Sequence, residues 1–100
     1  MSKKFKQKII LCDMDGTLSK GVCWTPEQCL KAKPRLSVIK KIKELAKEGY
    51  LIIWTARRDH LIPATMQWCR KHDIPFQAIS NNKAAGDLYI DDHCLNVEDL

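Results

Sequence analysis

One hundred residues and 11.5 kDa leave room for one domain around one hydrophobic core and exclude a second folded domain. A hydrophobic fraction of 45%, a charged fraction of 29%, four Gly and four Pro exclude a disordered, collagen-like or disulfide-dominated chain. Seventeen Lys and Arg against twelve Asp and Glu give a net charge of +5, which favours anionic partners: phosphate esters, nucleic acid or acidic surfaces.

Lys3, Lys4, Lys6 and Lys8 crowd the start, and residues 1–7 read as a solvated basic arm ahead of a single domain. The apolar run Ile9-Ile10-Leu11-Cys12 is far too short for a signal-peptide core or a membrane span, so a cytoplasmic location is expected. The cysteines at 12, 23, 29, 69 and 94 are odd in number and form no CxxC pair, which favours reduced thiols over a disulfide framework or a zinc site. Cys12 and Cys69 fall at expected core positions.

Residues 8–12 predict a buried strand, because a short apolar run ends abruptly in polar residues and Gly16. Residues 19–33 show no clear periodicity and read as a long loop, punctuated by Gly21, Pro26 and Pro34. A helix then runs from Pro34 to a stop at Gly49, with Leu36, Val38, Ile39, Ile42, Leu45 and Ala46 on its apolar side. Lys40, Lys41, Lys43 and Lys47 make its solvated side. Tyr50 to Trp54 predict a second buried strand, and Pro63 opens a second helix to about His72, with Trp68 and Cys69 inward. Phe76 to Ile79 predict a third strand, and Asp87 to Ile90 a fourth. Alternating strands and helices imply an α/β fold, a mainly parallel sheet with helices on both faces.

In such a sheet the ligand site lies at the carboxyl ends of the strands. There the expected order places Asp13 and Asp15 after the first strand, Thr55 and Arg57 after the second, Lys83 after the third, and Asp91 and Asp92 after the fourth. Four carboxylates brought together repel one another and call for a cation, and hard oxygen ligands with room for water and phosphate suit Mg²⁺. Taken singly, each Asp has a simpler reading as a helix cap or turn residue. An EF-hand fails, because with Asp13 as its first position Trp24 stands where the bidentate Glu belongs. A metal flanked by carboxylates, a hydroxyl and a Lys is equipment for phosphoryl transfer to an Asp.

These residues resemble the haloacid dehalogenase superfamily, chiefly its phosphatases. Its first motif, DxDGT followed by Leu or Val, stands here as Asp13-Met14-Asp15-Gly16-Thr17-Leu18, and five fixed positions recur by chance about once in a few million starts. Thr55 in IIWTAR, Lys83, and Asp91-Asp92 in DLYIDD match the second, third and fourth motifs, in the family's order. The resemblance spans about residues 8 to 93. It implies a three-layer Rossmann-like core, with Asp13 as nucleophile and Mg²⁺ ligand. Asp15 is then the general acid and base, holding the metal through its backbone carbonyl. Thr55 binds the transferring phosphoryl group, Lys83 stabilises its charge, Asp91 is a metal ligand, and Asp92 a ligand or a neighbour of one. Arg57 matches no universal motif, and a phosphate or leaving-group role for it rests on position alone.

No cap domain fits between the motifs, so the expected protein is a capless Mg²⁺-dependent phosphomonoester hydrolase. An open site is served either by a large substrate, such as a phosphorylated nucleic-acid end, or by a second subunit closing over a sugar phosphate or nucleotide. Lys20, Lys31, Lys33 and Arg35 against Glu27 alone give the 19–35 loop a positive rim, and Trp24 there either stacks on a base or packs on the core. His72 sits at a helix end where positive charge suits the dipole, and His93 reads as a surface residue. Two alternatives remain: a noncatalytic phosphate- or partner-binding protein on the same scaffold, and a receiver-like phosphoacceptor domain. In a receiver the acidic pair precedes the phosphorylated Asp, the reverse of the order here.

Overall fold

The computed structural model describes residues 8–88, 90–91 and 94–100, so the basic arm at 1–7 and residues 89, 92 and 93 lie outside it. The elements run β1 (Lys8–Cys12), α1 (Pro26–Lys31), α2 (Leu36–Ala46), β2 (Gly49–Trp54), α3 (Ile62–Lys71, after a 3₁₀ turn at Asp59–Leu61) and β3 (Ala78–Ser80). The strands form one parallel sheet in the order β1-β2-β3, with Cys12 beside Ile53 and Ile53 beside Ile79. This is the small α/β fold that the sequence predicts.

Both crossovers step across the sheet in the same direction, and right-handed crossovers then put both helices on one face. The core agrees: Val38, Ile39 and Ile42 of α2 and Trp68 and Cys69 of α3 share one cluster with Cys12, Leu51 and Ile53. On the other face Ile9 and Leu11 are 70% and 54% exposed, and Tyr50 and Ile52 are half-buried. Among the described residues, the expected helices on both faces are therefore replaced by helices on one. A change of face requires the strand order to reverse, and the order β1-β2-β3 does not. Of the fourth strand expected at 87–90, Leu88 and Ile90 lie outside any strand and are 76% and 91% exposed. Tyr89, in the middle of that expectation, lies outside the described residues.

The expected loop at 19–33 contains α1. Thr25 caps it, its side chain accepting from the Gln28 backbone N–H at 3.2 Å, while Gln28 Oε1 reaches back to accept from the Trp24 N–H at 2.7 Å. With Pro26 opening the helix, this is a variant of the capping box. The expected reduced state of every cysteine is corrected too: Cys23 and Cys29 form a disulfide, buried with Leu61 and Ala64 where α1 meets α3. A pair six residues apart needs no framework of further bridges. Cys12, Cys69 and Cys94 are free thiols, the first two buried as expected. Burial pushes both the Cys12 and the Cys69 thiol up to about 12, so neither is a thiolate at neutral pH.

In α2 the buried residues are Val38, Ile39 and Ile42, while Leu36 and Leu45 are 70% and 45% exposed. The helix presents a narrower stripe to the sheet than its apolar pattern suggests. Gly49, expected as a helix stop, is the first residue of β2, and it packs so closely on β1 that a Cβ there would lie 2.7 Å from Ile10 Cδ1 and 2.9 Å from the Lys8 carbonyl. α3 ends in a Schellman motif, in which Ile74 N–H donates to Cys69 O and Asp73 N–H to Arg70 O, with Asp73 at φ 55°. His72 closes this helix with its ring centroid 4.3 Å from that of Trp68. Burial pulls its pKa down, aided by Lys71 and Lys43 and opposed by Asp73, so the fold favours neutral imidazole over the charged form expected at a helix end.

Candidate functional site

The parallel register brings the carboxyl ends of β1 and β2 side by side, and the turn after β1 is built to display alternate residues. Met14 and Leu18 are fully buried and anchor the turn in the core. The Met14 carbonyl accepts from the N–H groups of Thr17, Leu18 and Ser19, while Gly16 N–H donates to Ser19 O at 2.7 Å. Gly16 sits at φ +80°, a left-handed conformation that glycine adopts without steric cost. Arg35 Nη1 clamps the Gly16 carbonyl at 2.8 Å, so this member of the expected positive rim braces the turn. With Met14 buried between them, the side chains of Asp13 and Asp15 stay 38% and 21% exposed.

These two carboxylates have different partners. Asp13 Oδ1 accepts from the Met14 N–H at 2.8 Å and lies 3.2 Å from Lys83 Nζ. Lys83 arrives from beyond β3, its ammonium 5.1 Å from the centre of the Trp54 ring. Its side chain is only 9% exposed, so its charge is directed into the site. Asp15 is held in a fork by Arg57, with Nη2 to Oδ1 at 2.7 Å and Nε to Oδ2 at 3.0 Å. The Arg57 side chain is 2% exposed, and Nη1 donates to Thr65 Oγ1 at 2.7 Å.

Thr55 directly follows β2, fully buried, with its N–H on Ser80 O at 2.9 Å. Its hydroxyl oxygen accepts from the Arg57 N–H at 3.1 Å, which leaves the hydroxyl proton available as a donor. Asp13, Asp15, Thr55, Arg57 and Lys83 are thus carried by adjacent strand ends, in the order of the motifs. Beside them an open groove of about 480 Å³ is lined by Ala56, Arg57, Arg58, Asp59, His60 and Asn81.

Asp91 is exposed, its carbonyl accepting from Cys94 N–H, and Asp92 lies outside the described residues. Among the described residues, no three acidic, His or Cys side chains form a group able to hold a metal ion. The Asp13 carboxylate and the Asp15 carbonyl are hard oxygen donors of the kind Mg²⁺ takes, and the engagement of the Asp15 carboxylate by Arg57 leaves its carbonyl as the donor. Trp24 is 74% exposed, which removes the alternative that it packs on the core.

Thr65 and Trp54 also belong to the site, although no sequence motif marks either. Thr65 carried a usable signal: it is a hydroxyl on the inward stripe of α3, between Ala64 and Trp68, and its own proton goes to Leu61 O at 2.7 Å. Trp54 carried little, since one aromatic ending an apolar strand reads as core.

No family model and no curated protein matches the chain. Among the described residues no helix is long and apolar enough to cross a membrane. The chain is similar to a solved crystal structure, that of an MCSG target from Vibrio cholerae, with a TM-score of 0.80 and 26% identity. The match covers 92% of this chain and 85% of that one, so the α/β arrangement is shared over nearly the whole of both.

Proposed function

We propose that the protein is a Mg²⁺-dependent phosphomonoester hydrolase of the haloacid dehalogenase type, working through an aspartyl phosphate on Asp13. One observation carries this reading: two carboxylates two residues apart have unlike partners, Asp13 facing the Lys83 ammonium and Asp15 gripped by Arg57. Two roles in one reaction need such a division.

Asp13 attacks phosphorus through a carboxylate oxygen, and the bond from phosphorus to the leaving oxygen breaks. Asp15, protonated at that moment, passes its proton to the leaving oxygen and so releases an alcohol. Water then attacks the phosphoryl group on Asp13, Asp15 takes back a proton, and inorganic phosphate departs with Asp13 restored. Lys83 and the Thr55 hydroxyl hold the equatorial phosphoryl oxygens and offset their charge. Mg²⁺, held by the Asp13 carboxylate and the Asp15 carbonyl with Asp91 and Asp92 as further donors, would supply additional neutralisation of that charge.

The substrate is a sugar phosphate, a nucleotide or a phosphorylated nucleic-acid end. Two features support an exposed substrate: the shallow groove beside the site and the outward Trp24, which offers a face for a base or sugar. The test is phosphate release from an aryl phosphate and from a panel of these three classes, with Mg²⁺ or EDTA, by wild type and Asp13→Asn. Metal-dependent turnover lost by at least about 10³-fold in Asp13→Asn is expected. Folded wild type that turns over none of the panel, yet binds phosphate, would replace this reading with the noncatalytic binding protein.

A further inference from the structure

We propose that Arg57 is a positioning residue for Asp15, and that it adapts the site to phosphate esters of alkyl alcohols, whose leaving oxygens cannot depart unprotonated. This deepens the hydrolase reading and rests on it.

The argument is one of access and geometry. The Arg57 side chain is 2% exposed and turned inward, onto Asp15 and Thr65. Three of its five N–H donors are engaged: those of Nε and Nη2 on the two oxygens of Asp15, and one of Nη1 on Thr65 Oγ1. Thr65 is itself fixed, fully buried and donating to Leu61 O. A planar guanidinium held at its far edge by a fixed hydroxyl presents a rigid fork, and the fork sets both the place and the plane of the Asp15 carboxyl. Each carboxylate oxygen keeps a second lone pair for the proton it carries, and at 21% exposure the carboxyl remains open to solvent. Through its backbone N–H on Thr55 Oγ1, the same residue ties the phosphoryl-binding hydroxyl to the acid. Of the phosphate and leaving-group roles expected from its position in the sequence, the fork on Asp15 favours the second.

A misplaced acid hurts poor leaving groups and spares good ones, because a nitrophenolate leaves without a proton and an alkoxide does not. The experiment therefore compares kcat and KM on p-nitrophenyl phosphate and ethyl phosphate for wild type, Arg57→Lys, Arg57→Gln, Thr65→Val, Asp15→Asn and the Arg57→Gln/Asp15→Asn double variant. The expected result is a loss of about 10²-fold in kcat on ethyl phosphate for the Arg57 variants, roughly threefold or less on the aryl ester, and little change in KM. Thr65→Val, which leaves Arg57 in place, shifts the ratio of the two esters in the same direction by less. The double variant is no worse on ethyl phosphate than Asp15→Asn alone. Equal losses on both esters, or a rise in KM with kcat kept, overturn the positioning role while leaving the hydrolase reading intact. Wild type inactive on both esters overturns the two together.

Discussion

The ends of β1 and β2 and the stretch after Lys83 both carry acidic residues proposed for the same chemistry, in opposite settings. At the strand ends, Asp13 and Asp15 flank a fully buried Met14, and Asp15 is met by an Arg whose side chain is 2% exposed. Beyond Lys83, Asp91 is exposed and its apolar neighbours Leu88, Ile90 and Leu95 are 76%, 91% and 61% exposed. Asp13 and Asp15, the proposed nucleophile and acid, draw their placement from the hydrophobic core through one anchored turn. Among the described residues, the apolar side chains flanking Asp91 are turned to solvent. The two regions should therefore respond differently when the core, the cation or the charge is altered.

The largest effect is expected from Trp68→Ala, which removes a fully buried side chain, its hydrogen bond to Ala32 O at 2.8 Å, and the α3 packing behind Thr65. Chemical denaturation should show a loss of about 3–5 kcal/mol, with activity falling as the Arg57 brace loosens. Full activity at that loss of stability would break the link drawn between core and site. Asp91→Asn should do the reverse, raising the Mg²⁺ concentration for half-maximal activity about tenfold while stability stays within about 0.5 kcal/mol. An unchanged Mg²⁺ requirement would remove Asp91 from the metal set.

Two smaller effects sharpen the account of the scaffold. Asp73→Gly relieves the left-handed residue of the Schellman motif and should raise stability by up to about 1 kcal/mol without touching activity. His72 gives the smallest effect, visible as a slope. Its pKa lies below the ordinary 6.5 in the fold, so its contribution is complete above that value and fades as pH falls through the lowered one. In His72→Gln the dependence of stability on pH between about 7 and 5 should be flatter than in wild type. A steeper slope would contradict the neutral imidazole beside Trp68.

Much of the strand-end region could be read before any fold was known, because its signals are local. An apolar run that stops at Asp13, a Gly at the turn, Thr55 ending a second run and Lys83 beyond the third needed only a parallel sheet to become neighbours. The Arg57–Asp15 fork spans 42 residues, and the direction of an Arg side chain is decided by packing, which a linear pattern does not carry. The α1 helix was hidden by its own start, since Thr25, Pro26 and Gln28 read equally as loop punctuation until the cap is seen closed. An odd cysteine count hid a local pair. Ile9 and Leu11, in the strand that reads as buried, and Leu36 and Leu45, on the apolar side of α2, mark the opposite error, in which apolar character alone reads as burial.

The most direct measurement is the site of phosphorylation itself. Wild type is mixed with p-nitrophenyl phosphate and Mg²⁺, quenched in acid, reduced with borohydride and mapped by peptide mass spectrometry. Borohydride converts an aspartyl phosphate to homoserine, and the account predicts homoserine at position 13 alone, absent without substrate. Steady turnover with Asp13 unmodified, or modification at Asp15 in its place, would contradict the division of labour between the two carboxylates.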